Sequence, residues 1–296
     1  MILVCGLLDE PVIESFLTYL TINQKPFIFL EERDLGKNVL LKYNIKGNLI
    51  EGEIIFGKWS IDIQTISGIY NRLGMMKSSP SSHRYRNSLK SLEYLLNIFP
   101  GKVANRPFAS ESNSSKPSQY KAILHSGLSL PDSYLGFSSE ELRVFKDKQG
   151  KIIVKSTSSI RSIVKVFDDN EFAGIENCDL IIPHQYQACL KGINVRVHVI
   201  GDHVFSCEMI TNTLDYRYSG KFGEKISFNI IELPKAIADA CLSINKTLNL
   251  SFSGIDLFRT TNKWYCFEVN TCPGYTWFEE HTGLPISENL SNYLLL

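Results

Sequence analysis

The side chains that could do chemistry are concentrated near the C-terminal end, in residues 253–270. Two apolar runs flank a polar tetrapeptide, 260–263, whose composition is typical of a turn, so the stretch predicts a β-hairpin. If the turn is centred on this tetrapeptide, Asp256 lies directly across from Glu268. Side chains alternate between the two faces of a strand, and Asn270 therefore joins Glu268 on one face.

Two carboxylates opposite each other repel unless a positive charge lies between them. The hard oxygen ligands of this hairpin suit Mg²⁺ or Mn²⁺, with nucleotide phosphates completing the coordination shell. Gly254 faces Asn270 in this register and would leave room for a ligand. The other face, with Leu257, Phe267 and Val269, is expected to point into a core. An ordinary edge hairpin whose acidic side chains face water is the alternative interpretation.

A family pattern favours the metal site. The chain reads Gly-Ile-Asp at 254–256, Glu-Val-Asn at 268–270 and Pro-Gly at 273–274. This order and spacing resembles the metal-binding motif of ATP-grasp ligases, in particular ribosomal-protein glutamate ligases and peptide-modifying ATP-grasp enzymes. The resemblance covers about residues 100–290. It implies an α/β (α+β) chain with the ATP-grasp fold, in which a small N-terminal α/β domain precedes two mostly antiparallel sheets that hold the nucleotide.

The same resemblance divides the chain into three parts. Residues 1–105 would form an N-terminal pre-ATP-grasp α/β domain, residues 106–190 the central ATP-grasp subdomain, and residues 191–296 the C-terminal subdomain with the metal site. The first thirty residues have the apolar pattern of a β-α-β unit, which fits the first of these parts.

Two lysines and one loop correspond to the family's phosphate-binding elements. Lys116 opens a helix and takes the place of the first nucleotide-binding lysine; the alternative is a solvated residue at a helix N-terminus. Lys155 ends an apolar strand and takes the place of the second. The family's glycine-rich loop follows there, but residues 156–161 contain no glycine. Hydroxyl groups, backbone N–H groups and Arg161 could still hold phosphate, and whether this loop closes over ATP stays open.

The adenine and ribose contacts of the family are matched in part. Residues 180–187 resemble the adenine hinge, with Gln185 and Tyr186 at its contact positions, although Gln185 replaces a glutamate. An amide both donates and accepts hydrogen bonds, so it can still recognise adenine. Asn194 replaces the usual aspartate before Arg196, which implies a weaker ribose contact.

Arg196 and Arg217 are the residues that the resemblance implies for catalysis. Arg217 belongs to an Asp-Tyr-Arg element that resembles one near the family's acyl-phosphate site. An arginine can grip a carboxylate or a phosphoryl group with two parallel hydrogen bonds. For Arg217, a surface pair with Asp215 or Glu224 is the alternative. Alternation along the strand predicts that Arg196 faces away from its apolar neighbours and towards the cleft.

The implied reaction is ATP-dependent formation of an amide from a carboxylate and an amine through an acyl phosphate, with ATP and Mg²⁺ (or Mn²⁺) as cofactors. The substrates would be small-molecule or peptide carboxylates and amines. A second hypothesis is a ligase that modifies or macrocyclises a ribosomal precursor peptide. A third is a non-catalytic nucleotide-binding module, motivated by the glycine-free loop and by Gln185 and Asn194.

Composition and charge argue against several other classes of protein. A net charge of zero, from 31 basic and 31 acidic residues, argues against a partner that is nucleic acid or an anionic membrane. The N-terminus lacks the positive region of a signal peptide, and no apolar run approaches the roughly 20 residues of a membrane helix. Seven cysteines without a C-x-x-C pair indicate buried thiols in a cytoplasmic protein. A homo-oligomer is compatible with the sequence.

Overall fold

The computed structural model describes residues 1–47, 49–74, 82–156, 164–175, 184–211 and 225–296. Several predicted elements lie outside these residues. They are Arg161, Arg217, the glycine-free loop beyond Ser156 and the first half of the adenine hinge.

Single strands and runs of consecutive strands are separated by helices along the described residues. The strands are β1 Ile2–Gly6, β2 Phe27–Glu31, β3 Val39–Lys46, β4 Leu49–Phe56, β5 Trp59–Asp62, β6 Gly68–Asn71, β7 Lys102–Ala104, β8 Ser133–Tyr134, β9 Ile152–Ser156, β10 Lys165–Phe167, β11 His184–Ala188, β12 Ile193–Ile200, β13 His203–Ile210, β14 Ser227–Ile230, β15 Phe252–Arg259 and β16 Trp264–Asn270. The helices are α1 Pro11–Ile22, α2 His83–Ile98, α3 Pro107–Ser110, α4 Lys116–His125, α5 Ser139–Gln149, α6 Asp169–Ala173, α7 Lys235–Thr247, α8 Thr276–Thr282 and α9 Ile286–Leu295.

The N-terminal part is built on a parallel sheet with the order β2-β1-β6-β7. β1 and β2 run parallel and are joined by α1, so the predicted β-α-β opening is confirmed. α1 begins with Pro11, which suits the first helical turn because proline lacks only an N–H that would be unpaired there. Its buried residues Val12, Phe16 and Leu20 recur at helical spacing and pack on the sheet. A separate antiparallel sheet, β3-β4-β5, packs with α2.

Two antiparallel sheets follow, as the resemblance predicted. One has the order β10-β9-β11-β8, and the other has the order β14-β13-β12-β15-β16. β12 is the central strand of the five-stranded sheet. One face of that sheet, including Val195, Val197 and Ile255, packs on α7 and α4. The opposite face is the one that carries Arg196 and Asp256, because residues alternate along each strand.

A single buried cluster joins the N-terminal sheet to the C-terminal part. It contains Val4 and Phe16 together with Phe252, Tyr275 and Leu290. The predicted division at residues 105 and 190 stays a prediction, and residues 1–105 and 191–296 share this core.

The described cysteines are free thiols, and four of them are buried. Burial raises the pKa of the Cys207 thiol to about 11 and that of Cys241 to about 12. These thiols behave as small apolar residues, which confirms the prediction for their side chains. Among the described helices, none combines the length and the apolar character that crossing a membrane requires.

Candidate active site

The hairpin of β15 and β16 has the predicted register. Asp256 pairs with Glu268, and Gly254 pairs with Asn270. A β-bulge follows Asp256, so that Leu257 pairs with Cys266. Cys266 takes the buried place expected for Phe267, and the prediction that Phe267 points into this core is wrong. The Phe267 ring instead stacks on Phe258, with ring centroids 5.2 Å apart.

Each carboxylate of the hairpin is paired with a cation of the same chain. Arg196 Nη1 donates to Asp256 Oδ1 at 2.7 Å, and Lys116 Nζ lies 3.2 Å from Glu268 Oε2. Asn270 Nδ2 is 3.4 Å from Asp256 Oδ2, which leaves the Asn270 Oδ1 as an acceptor. The repulsion expected between the two acids is therefore offset by two buried positive charges.

Arg196 reaches Asp256 because the two residues are cross-strand partners on β12 and β15. Val195 and Val197 lie in the core on the other face, so the predicted direction of the Arg196 side chain is confirmed. A Cβ on Gly254 would lie 2.0 Å from Arg196 Nη2. The room that glycine was expected to leave for a ligand is thus filled by the guanidinium.

His198, two residues beyond Arg196, was not predicted. Arg196 Nε donates to His198 Nε2 at 3.3 Å, and the ring also hydrogen bonds to the backbone of Gly274. Burial lowers the pKa of His198 well below its usual value, and the charge of Arg196 acts in the same direction. The imidazole is therefore neutral and can accept. The alternation Arg-x-His on one strand is the sequence signal that could have revealed it.

Lys116 is fixed by a second residue that was not predicted, Gln119. The Gln119 amide donates to the Val269 carbonyl at 2.6 Å and accepts from the Val269 N–H at 2.8 Å, so it pairs with β16 as a neighbouring strand would. Lys116 lies three residues earlier on α4, on the same helical face. Its side chain is only 4% exposed, which excludes the alternative of a solvated helix terminus.

The four-stranded sheet presents amides and a lysine. Lys155 pairs with Gln185 across β9 and β11, and its Nζ donates to Gln187 Oε1 at 3.1 Å. The ammonium also lies 5.5 Å from the centroid of the Phe267 ring, which comes from the facing sheet. Gln187 was not predicted. Its alternation with Gln185 on one strand was the available signal.

Gln185 is held by its nitrogen. Gln185 Nε2 donates to the Ser133 hydroxyl at 3.1 Å and to the Tyr120 hydroxyl. Its Oε1 is buried and has no hydrogen-bond partner in the part of the chain that the structure describes. A buried acceptor left in this way can be satisfied by a donor on a ligand.

The remaining predicted residues are placed as follows. The Tyr186 side chain lies on the opposite face of β11 from Gln185 and packs in an aromatic core, its ring 5.0 Å from that of Phe167. The structure therefore does not bring this ring to the cleft. Asn194 lies two residues before Arg196 on β12 and is half-buried. Arg161 and Arg217 are outside the described residues.

A pocket of about 530 Å³ opens beside the hairpin. Its polar side is formed by Arg196, Asp256, Glu268 and Asn270, and its apolar side includes Trp277 and Phe278. No group of three or more His, Cys, Asp or Glu side chains suited to a metal occurs among the described residues. The hairpin offers two carboxylates and one amide oxygen. These hard oxygen donors fit Mg²⁺ that keeps part of its shell for phosphate and water.

The sequence pattern of the RimK-like ATP-grasp domain matches residues 114–294. The chain belongs to this family. It is 26% identical over 154 residues to a protein of Haemophilus ducreyi named "Probable alpha-L-glutamate ligase", a match that covers 52% of this chain and 48% of that protein. The chain thus spans about half the length of the curated relatives it matches.

Solved structures of the ATP-grasp fold align over nearly the whole chain. The macrocyclase MdnC of Microcystis aeruginosa MRC, bound with the precursor peptide MdnA, gives a TM-score of 0.79 at 17% identity, covering 100% of this chain and 99% of that one. A Chryseobacterium gregarium RiPP-associated ATP-grasp ligase in complex with ADP and a leader and core peptide gives 0.82 at 16% identity, covering 99% and 96%. The predicted ATP-grasp fold is confirmed.

Proposed function

We propose that this chain is an ATP-dependent carboxylate–amine ligase that works through an acyl phosphate. The observation that carries the proposal is the convergence of Asp256, Glu268, Asn270 and Arg196 at one pocket. Lys116 is ion-paired with Glu268, and Arg196 with Asp256. A substrate carboxylate oxygen attacks the γ-phosphorus of ATP, and the bond to the bridging oxygen breaks to release ADP. The amine nitrogen then attacks the acyl carbon, loses a proton and expels phosphate.

The chain's own residues supply positioning and charge, which are the main requirements of phosphoryl transfer. Lys155 and Lys116 offset phosphate charge, and the Gln185 oxygen accepts from the adenine amino group. Arg196, which lines the pocket, contacts the acyl phosphate. Asp256, Glu268 and Asn270 would hold Mg²⁺, or Mn²⁺ in its place, and such an ion neutralises the phosphate oxygens. Arg161, Asn194 and Arg217 keep the roles predicted for them.

A peptide substrate is the second part of the proposal, in the form of a ligase that modifies or macrocyclises a ribosomal precursor peptide. The support is the likeness in fold to the peptide-bound macrocyclase and the peptide-bound RiPP-associated ligase, with TM-scores of 0.79 and 0.82. A cytoplasmic location belongs to the same proposal and is supported by the buried, free thiols.

Trapping of the acyl phosphate tests the reaction. The protein is incubated with ATP, Mg²⁺ and hydroxylamine, together with L-glutamate or with peptides that contain Asp and Glu side chains. Hydroxamate formed in step with ADP supports the ligase. Tight ATP binding without hydroxamate from any of these acids would favour the non-catalytic nucleotide-binding module.

Asp256→Asn and Glu268→Gln are the matched variants that test the metal site. Both keep the size of the side chain while removing one metal-binding carboxylate, so both should lose hydroxamate formation. Wild-type rates in either variant at millimolar Mg²⁺ would contradict the metal site.

A further inference from the structure

The guanidinium of Arg196 is held from several sides. Nη1 donates to Asp256 at 2.7 Å, and Nε donates to His198 Nε2 at 3.3 Å. The Cζ atom lies 5.5 Å from the centroid of the Phe278 ring, and the missing Cβ of Gly254 makes room for Nη2. The ion pair alone would let the flat group rotate about its contact with Asp256. The second contact, at Nε, fixes the plane.

We propose that His198 is a positioning residue, whose Nε2 accepts from Arg196 Nε and thereby holds the guanidinium in the orientation that both the Asp256 pair and the transferring group require. The role at the transferring group rests on the proposed ligase function. The orientation itself does not, because it is set by contacts within the chain.

His198 is suited to this task because its own place is fixed. The ring is 1% exposed and packs edge-on against Phe278, with centroids 5.2 Å apart. It also hydrogen bonds to the backbone of Gly274. A neutral imidazole offers one acceptor nitrogen, and the Nε–H of Arg196 satisfies it.

The loop that holds His198 is in turn tied to the N-terminal part of the chain. Arg72 Nη1 donates to the carbonyl of Pro273, the residue before Gly274, at 3.0 Å. Arg72 Nε donates to both Glu10 carboxylate oxygens at 2.9 Å. A continuous set of polar contacts, buried in the middle and partly buried at its ends, therefore runs from Glu10 through Arg72 and the loop to His198, Arg196 and Asp256. Such a frame restricts His198 to one position relative to Arg196.

The test compares side chains that keep or lose the acceptor. His198→Gln retains an acceptor at about the position of Nε2, and His198→Met has similar bulk without one. His198→Asn is polar but too short to reach Arg196, so it serves if the methionine variant fails to fold. His203→Leu, at an exposed site on the neighbouring strand, is the control.

Two readouts are measured on the full chain. The first is hydroxamate formation with ATP and Mg²⁺, for which we expect kcat to fall about 10- to 100-fold in the Met and Asn variants with little change in the KM for ATP. The Gln variant and the control should remain near the wild-type rate. The second is hydrogen exchange of the Arg196 Nε–H by NMR, assigned through its loss in Arg196→Lys.

Protection of the Nε–H in the wild type and in His198→Gln, with faster exchange in the Met or Asn variant, supports the proposal. Equal protection in all of them overturns it, as does a kcat in the Asn variant equal to that of the wild type. Loss of protection in a protein that forms no hydroxamate in any form supports the positioning contact and counts against the ligase function alone.

Discussion

The two sheets that border the cleft hold their polar residues in different ways. On the five-stranded sheet the carboxylates are matched with cations, Asp256 with Arg196 and Glu268 with Lys116. On the four-stranded sheet Gln185 and Gln187 bond to the Ser133 hydroxyl, and the Lys155 ammonium donates to the Gln187 amide oxygen and not to a carboxylate. Removing one partner of a buried ion pair leaves a buried charge without a counter-charge, whereas removing an amide leaves groups that can rotate to new partners. The two sheets should therefore respond differently to substitution.

The largest effect is expected for Asp256→Ala. It leaves Arg196 buried without its carboxylate, so unfolding free energy should fall by about 3–5 kcal/mol, and ligation should stop. Like-charge repulsion between the two acids alone predicts the opposite change in stability, but the observed ion pair reverses that expectation. Urea titration followed by circular dichroism measures the change.

The control for this change is the double variant Asp256→Ala with Arg196→Met, which removes both charges and should recover part of the lost stability. A single variant as stable as the wild type would show that the pair contributes nothing to the fold.

The next effect is on nucleotide binding. Lys155→Ala should weaken ATP affinity by about ten- to a hundredfold, or roughly 1.5–3 kcal/mol. The reason is that a hydrogen bond between the buried lysine ammonium and a phosphate oxygen is lost. Lys148→Ala changes an exposed lysine of α5 and should have no effect. Calorimetric titration of both variants decides the matter, and equal dissociation constants would refute the role of Lys155.

A smaller effect, on the unfolding free energy, is expected when the pH is lowered, because His198 is buried as a neutral imidazole. Burial holds the pKa of this imidazole well below 6.5, so the unfolded chain takes up a proton near pH 6.5 while the folded chain does not. The stability from this group is present above pH 6.5 and falls as the pH drops below it, by about 1.4 kcal/mol per pH unit. Denaturant titrations between pH 7.5 and 5.5 should show this slope in the wild type. His198→Gln should lack it, and parallel profiles for the two proteins would contradict the assignment.

The features that could be predicted from the sequence depend on short-range periodicity. The period of two along a strand and the turn at 260–263 were enough to place Asp256 opposite Glu268 and to aim Arg196 at the same face. The bulge that moved Phe267 out of the core could not be predicted, because it inserts one residue without a local glycine or other signal.

The supporting residues could not be predicted because they act across long sequence separations. Gln119 hydrogen bonds to the backbone of Val269, which is 150 residues away. Asn105 behaves in the same way, since its amide accepts from the Phe252 N–H 147 residues further on. Such contacts depend on how α4 and the strands pack in three dimensions. Composition and local pattern carry no record of that packing.

The smallest effect, and the one that tests the amide-bonded sheet most directly, is expected for Gln185→Met. The Gln185 oxygen has no partner among the described residues, and the Ser133 and Tyr120 hydroxyls that accept from Gln185 Nε2 can rotate to other partners. Replacing the amide with a thioether of similar shape should therefore lower the unfolding free energy by only about 1 kcal/mol. ATP would lose the acceptor for its adenine amino group, which is worth about 0.5–1.5 kcal/mol, or about two- to tenfold in affinity. GTP carries a carbonyl oxygen at that position, so its affinity should rise or stay equal.

Tyr186→Phe is the matched control, because that ring packs in the core on the other face of β11. Calorimetric titrations with both nucleotides give the ratio of ATP to GTP affinity, which should fall in Gln185→Met alone; an unchanged ratio would remove Gln185 from the adenine contact.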